Sequence, residues 1–297
     1  MQTEGYLFVH FTDHQSDGAM NEQVYFSLSE DGLSWQALNK KRPVLVSGVG
    51  EQGARDPFLI RGMKGDGFYI IATDLSMHHR RHNWGGAIKN GSRSILVWKS
   101  EDLVNWQGPE LKTIAPADAG CAWAPEAVYD SGRGEYLVFW ASFTQGKHKI
   151  YSAYTPDFDS FSEPKLFIER ECDVIDTDIC EENGTYYRFS KDETEKSIIM
   201  ETSTSLTGDF RQVDSTLSKI LGVEGPECFK LKDGRWCILL DEFMAGNGYH
   251  PYITDCLSSG NFVKDDNVFS TQMQLRHGGV LPITAIEKER LRNAYAL

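Results

Sequence analysis

Long apolar runs are missing from this sequence. Nothing approaches the roughly 18 consecutive apolar residues that a membrane-spanning helix needs, and Met1 to Tyr6 has no basic start leading into an apolar stretch. The chain is therefore expected to be cytoplasmic, although a secreted protein trimmed of its signal peptide would read the same way. Basic charge is also scarce: 30 Lys and Arg stand against 43 Asp and Glu, a formal net charge of -13. That balance argues against a nucleic acid or an anionic membrane as partner, and an uncharged substrate would tolerate it. Cysteine signals are absent too. Cys121, Cys172, Cys180, Cys228, Cys237 and Cys256 show no C-x-x-C pair and no zinc spacing, so they are expected to be buried, reduced thiols rather than disulfide or metal ligands.

What the sequence does contain is a repeat. Ser29-Glu30-Asp31-Gly32-Leu33-Ser34-Trp35 returns as Ser100-Glu101-Asp102-Leu103-Val104-Asn105-Trp106, and looser copies end at Phe161, Phe210 and Phe262. These aromatic markers lie 71, 55, 49 and 52 residues apart. Between markers comes an acidic corner, two short β-branched or aromatic strands joined by a Gly or Asp-Gly turn, then a third strand. Four antiparallel strands repeated about every 40 to 50 residues is the pattern of a β-propeller blade. Five markers predict an all-β, five-bladed propeller of four-stranded antiparallel blades, one domain over residues 1–297. The C-terminal Gly279 to Ile283 should close the ring beside Tyr6 to Phe11. Only Ile286 to Ala296 reads as helix, and Trp35 and Trp106 are expected in the core.

The repeat carries a functional consequence. The first strand of each blade starts at the axis, so the residues at its head converge on one mouth of the channel. Those heads are Asp56, Glu126, Asp176 and Glu224, in Asp56-Pro57, Ala124-Pro125-Glu126, Ile175-Asp176-Thr177-Asp178 and Glu224-Gly225-Pro226. The loop after each second strand returns to the same mouth. The rim loops are thus 12–22, 74–93, 142–148, 191–196 and 241–250. The second is long and holds His78, His79, His82 and Trp84; with no closed ligand set evident, it reads as a solvated or substrate-covering loop rather than a metal site. Carboxylates gathered at one mouth suit glycoside hydrolysis, in which one carboxylic acid protonates the leaving oxygen and another carboxylate activates water or attacks carbon. Crowding and partial burial should keep the acid protonated.

Arg55-Asp56-Pro57, Trp123-Ala124-Pro125-Glu126, Ile175-Asp176 and Glu224-Gly225-Pro226, in that order, resemble glycoside hydrolase family 43, and the resemblance spans essentially the whole chain. The opening Tyr6 to Thr12 and the closing Arg276-His277-Gly278 look like its arabinofuranosidase or xylosidase-like members. The resemblance implies an inverting hydrolase with Asp56 as general base, Glu224 as general acid and Asp176 orienting that acid. Asp178 is a rival for the last role. It also implies a cation at Arg276 and a channel histidine at His277, with a structural calcium beside it as the one cofactor to consider. Glu126 departs from the family, which usually carries Asp there.

Trp84, Trp123 and Phe143 are expected to meet the sugar, together with Arg276 and His277. The expected reaction is release of a terminal α-L-arabinofuranose or β-xylose from a plant-type oligosaccharide or polysaccharide. The alternatives are an exo-β-1,3-galactanase-like hydrolase and a carbohydrate-binding propeller without catalysis. A retaining, family 32-like fructan hydrolase fits less well, because its N-terminal nucleophile segment is not found.

Overall fold

The computed structural model describes residues 2–13 and 18–295. The expected rim loop 12–22 therefore lies partly outside the described residues, as does the end of the expected C-terminal helix.

The strands, in chain order, are β1 (Gly5–His10), β2 (Tyr25–Ser29) and β3 (Ser34–Ala37); β4 (Ala54–Arg61), β5 (Phe68–Asp74), β6 (Ser94–Ser100) and β7 (Trp106–Thr113); β8 (Trp123–Asp130), β9 (Glu135–Thr144), β10 (Lys147–Thr155) and β11 (Lys165–Ile168). Then come β12 (Val174–Glu182), β13 (Thr185–Asp192), β14 (Ser197–Ser203) and β15 (Arg211–Gln212); β16 (Glu224–Lys230), β17 (Trp236–Asp241), β18 (Tyr249–Thr254) and β19 (Val263–Lys264); and last β20 (Ser270–Thr271) and β21 (Gly278–Ile283). Four sheets are simple four-stranded meanders, and the fifth runs β20-β3-β2-β1-β21. The ring is five-bladed, as the repeat predicts. Its closure pairs β1 with β21, Leu7 opposite Leu281, so the two ends of the chain share one blade.

The marker segment is a turn held by its own side chains. Ser29 Oγ accepts from the Gly32 N–H at 2.8 Å, and Asp31 Oδ1 accepts from Leu33 and Ser34. Ser100 and Asp102 do the same for Leu103, Val104 and Asn105, and Thr155 and Asp157 for Phe158 and Asp159. A hydroxyl and a carboxylate thus satisfy the N–H groups that the chain frees as it leaves one strand for the next. Trp35 is buried as expected, while Trp106 is partly buried against the same core as Phe26.

Apolar side chains between blades form the core. Ile71, Val97 and Tyr69 of one blade meet Tyr136, Val138 and Trp140 of the next. Among the described residues the α-helices are the short α1 (Gly18–Asn21), α2 (Trp84–Asn90) and α3 (Ala285–Ala294), besides three single-turn 3-10 segments. No helix among them is long and apolar enough to cross a membrane. The cysteines are unpaired, but only Cys121, Cys228 and Cys237 are buried; Cys172 and Cys180 are half-buried and Cys256 is exposed, so that expectation holds in part.

Candidate active site

The mouth is built by one irregularity used four times. In β4, β8, β12 and β16 the pairing with the second strand skips after Arg55, Trp123, Ile175 and Glu224. The next residue has left-handed backbone in each case: Asp56 (φ 49°), Ala124 (φ 46°), Asp176 (φ 45°) and Gly225 (φ 55°). Such a bulge re-aims the side chains around it.

This register corrects the reading of Asp56, Glu126, Asp176 and Glu224 as a single ring. Asp56 and Asp176 sit on the bulge itself, aligned with Ala124 and Gly225. Glu224 sits one residue earlier, aligned with Arg55, Trp123 and Ile175. Glu126 sits two residues later, aligned with Phe58, Asp178 and Glu227, and belongs to a deeper tier. Gly225 has no room for a side chain, because a Cβ there would lie 2.7 Å from His277 Cγ and 2.9 Å from the Tyr249 hydroxyl.

Asp56, Asp176, Glu224, Arg276 and His277 all line one cavity of about 360 Å³, with Trp84, Trp123, Lys191, Glu193 and Phe243 among its walls. Asp56 is fixed by Thr73, whose hydroxyl donates to Oδ2 at 2.8 Å and accepts from the Ala124 N–H at 2.7 Å. His277 Nδ1 lies 3.5 Å from Asp56 Oδ1 and 4.0 Å from Asp176 Oδ1, so one imidazole bridges two of the three carboxyls. Asp176 Oδ2 accepts from the Gly225 N–H at 3.2 Å, which ties it to the backbone beside Glu224. Burial pushes the Asp176 carboxyl above its ordinary range, with His277 and Lys191 pulling the other way.

Glu224 is held by cations on both oxygens. Lys191 Nζ donates to Oε2 at 2.7 Å, and Arg276 Nη2 donates to Oε1 at 3.3 Å. The expectation that like charges crowd this carboxyl is therefore incomplete, since cations are its direct partners. Arg276 is better engaged elsewhere: its Nε donates to the fully buried Asp241 at 2.5 Å, and it also pairs with Asp13. Burial brings the Arg276 guanidinium down to about 10 and pushes the Asp241 carboxyl well up.

The deeper tier brings Glu126, Asp178 and Glu227 together, with a ligand oxygen from each lying within 4.8 Å of the others. All three are buried. Asp178 accepts from the Cys228 N–H and Glu227 from the Val280 N–H, but Glu126 Oε2 and Glu227 Oε2 have no partner. Burial pushes all three carboxyls up, Asp178 to about 7. Asp178 therefore does not share the cavity with Asp176, against its candidacy as the residue that orients the acid. Three buried oxygen donors with orphaned lone pairs suit a hard divalent cation, and His277 Nε2 is 4.0 Å from Glu126 Oε1.

The rim is closed by the insertion. Glu22 accepts from the Met77 and His78 N–H groups and pairs with Arg55, while Glu51 pairs with Arg80 and accepts from the Ser92 N–H. These anchors present α2, which Asn83 caps and Trp84 begins. Trp84 is half exposed and meets Trp123 edge to face at 6.2 Å. Trp123 stacks on His148 at 5.4 Å, and Phe143 meets that histidine edge to face at 5.2 Å. Phe143 does not line the cavity, because His148 and Trp123 stand in front of it.

Lys191, Asp241, His148 and Phe243 lie in the expected rim loops 191–196, 241–250 and 142–148, but the sequence reading did not name them as site residues. A signal existed for one of them. Lys191 and Asp241 sit opposite Ile175 and Glu224 at the mouth end of the second strand, and Asp241 closes the otherwise apolar run Trp236 to Leu240.

The family profile described as a probable glycosyl hydrolase domain, related to glycosyl hydrolase family 43, matches residues 2–289. An α-L-arabinofuranosidase of Bifidobacterium longum subsp. longum is 30% identical over an alignment of 300 residues that covers 84% of this chain and 28% of that protein. The chain thus spans under a third of that relative's length. An endo-1,4-β-xylanase structure from Bacteroides thetaiotaomicron shares the fold at 15% identity, with a TM-score of 0.61 and 93% of each chain covered. An exo-β-1,3-galactanase structure from Phanerochaete chrysosporium matches at 15% identity and a TM-score of 0.52, covering 72% of this chain and 52% of that one. With its five blades and its profile match along nearly the whole length, the chain belongs to the glycosyl hydrolase 43-related family.

Proposed function

We propose that this propeller hydrolyses glycosidic bonds with inversion and releases a terminal pentose, α-L-arabinofuranose or β-xylose, from an oligosaccharide or polysaccharide. The observation that carries the reading is the meeting of Asp56, Asp176 and Glu224, from three separate blades, on a single cavity. Its volume, about 360 Å³, lies near the small end of ligand pockets and suits one sugar unit and a water better than a length of chain. Trp84 and Trp123 offer flat faces for sugar C–H groups.

In this mechanism a water attacks the anomeric carbon as Asp56 takes its proton. Glu224 gives a proton to the leaving oxygen, and the glycosidic bond breaks in the same displacement. Thr73 and His277 hold Asp56 in place for that step. Asp176 reaches the Glu224 corner through the Gly225 N–H.

The pentose preference draws support from the relative described as an arabinofuranosidase. A divalent cation, calcium by its preference for oxygen donors, would be held by Glu126, Asp178 and Glu227 beside His277. It would neutralise the buried carboxylates and fix the floor of the cavity.

Aryl α-L-arabinofuranoside, β-xyloside and β-galactoside assayed side by side, with NMR of the first anomer released, test the reading. Release of arabinose or xylose in the inverted configuration is expected. Cleavage of the galactoside alone would transfer the chain to the galactanase reading. Sugar binding without turnover of any substrate would make it a binding module.

A further inference from the structure

We infer that Lys191 is a positioning residue for proton transfer: by donating to Oε2 of Glu224 it leaves Oε1 as the oxygen that carries the transferable proton. This rests on the reading of Glu224 as general acid.

An ammonium has three donors and no acceptor, so an oxygen 2.7 Å from Nζ receives a hydrogen bond and cannot direct a proton of its own along that line. The other oxygen has only the long contact to Arg276, whose guanidinium is committed to Asp241 and Asp13. A proton arriving at Glu224 therefore sits on Oε1.

Lys191 is also poised for the moment after transfer. When Oε1 gives its proton to the leaving oxygen, Glu224 becomes a carboxylate, and an ammonium is already in place against it. The ammonium keeps its own proton throughout. A fixed charge that costs no rearrangement at the moment of reaction is the kind that lowers a barrier most.

The surroundings hold Lys191 to this task. Its side chain is 2% exposed, with Nζ 2.7 Å from Glu193 Oε2 and 4.3 Å above the Phe243 ring. Burial disfavours the charged form, but Glu224, Asp176 and Glu193 outweigh it and hold the amine above the ordinary lysine range. Lys191 is thus no rival proton donor.

A purely structural role explains less. The 191–196 loop is already tied to the Glu224 corner by the Gly222 and Val223 N–H groups on the Lys196 carbonyl. The Lys196–Glu193 pair then braces the loop internally.

The test is how activity depends on the leaving group. Lys191→Met, Lys191→Arg and Glu224→Gln would be assayed on a series from dinitrophenyl glycoside, which needs no acid, to phenyl and methyl glycosides, which do. For Lys191→Met, kcat/KM should fall about 100-fold on the unactivated substrates and little on the dinitrophenyl one, a loss within the range of acid catalysis itself. Lys191→Arg should recover part of it. Equal loss on every substrate, or no loss, would overturn the inference. If Lys191→Met does not fold, Lys191→Gln serves for the same series. Glu224→Gln separates the two readings. If its loss does not grow with leaving-group basicity, Glu224 is not the acid; if it does grow while the Lys191 variants show no such trend, only the Lys191 inference falls.

Discussion

The two tiers of the channel mouth are made from the same corners, yet they handle negative charge in opposite ways. In the upper tier Asp56, Asp176 and Glu224 have His277, Lys191 and Arg276 within 4.0 Å, and they face a cavity. Two residues past the bulge, Glu126, Asp178 and Glu227 are buried with no lysine or arginine paired to them among the described residues; His277 Nε2 comes only to 4.0 Å from Glu126, and two of their oxygens lack a hydrogen-bond partner. Burying a charge without compensation costs several kcal/mol. The lower tier must therefore be neutralised by protons or by a metal. The upper tier faces the cavity, where its carboxyls can exchange protons with a substrate. The contrast assigns chemistry to one tier and cohesion to the other.

Breaking the upper tier should give the largest effect. Glu224→Gln and Asp56→Asn are each expected to lower kcat on an unactivated glycoside by about 10²–10⁴-fold. The melting temperature should hardly move, as neither change opens the core. A large drop in melting temperature with activity retained would reverse the roles of the tiers.

The lower tier should respond to metal. Calcium at a hundred times its Kd would add about 2.7 kcal/mol of stability if it binds only the folded chain. That increment should vanish on chelation and be missing from a Glu126→Gln/Glu227→Gln double variant. A melting temperature indifferent to both calcium and chelator would mean that protons, not a cation, keep this tier neutral.

Much of this architecture was legible in the sequence. The Ser-x-Asp and Thr-x-Asp turns announce the blade period because they make the same hydrogen bonds each time. The closure of Gly279–Ile283 on the N-terminal strand followed from the ring. The tiers were not legible. A bulge residue with positive φ changes which side chain faces the axis, and nothing in Asp56-Pro57 or Pro125-Glu126 says that one is on the bulge and the other two residues past it. Of the aromatics expected to meet the sugar, Trp84 and Trp123 line the cavity. Phe143 does not, and packs instead against His148 of the next strand.

His10 shows a third way to bury an ionisable group, by discharging it. It is fully buried in β1, its ring nitrogens 2.8 Å from the Phe11 carbonyl and 2.9 Å from Ser27 Oγ. Burial lowers its pKa from 6.5 to about 4. Because the unfolded chain takes up a proton that the folded one refuses, stability should fall as the pH drops from 6.5 towards 4, by on the order of 3 kcal/mol. Urea unfolding at pH 7 and pH 4.5, compared with His10→Gln, isolates this contribution. An equal pH dependence in both proteins would remove His10 as its source.

The smallest effect expected lies at the blade edge, where backbone N–H groups take the place of cations. Asp102 is partly buried, which raises its pKa, but the N–H groups of Asn105 and Val104 outweigh that and bring it down to about 2. Asp102→Ala removes an ionised acceptor from two backbone donors, a loss of about 1.5–3 kcal/mol for each charged bond in a buried site and less at this half-exposed turn. The folded carboxyl sits below its unfolded value, so the contribution is present above pH 4 and fades as the pH falls towards 2. Asp102→Asn should recover part of the loss, because its amide oxygen still accepts. If Asp102→Asn is as unstable as Asp102→Ala, the turn depends on the charge rather than on the bonds, and the edge would work as the upper tier does.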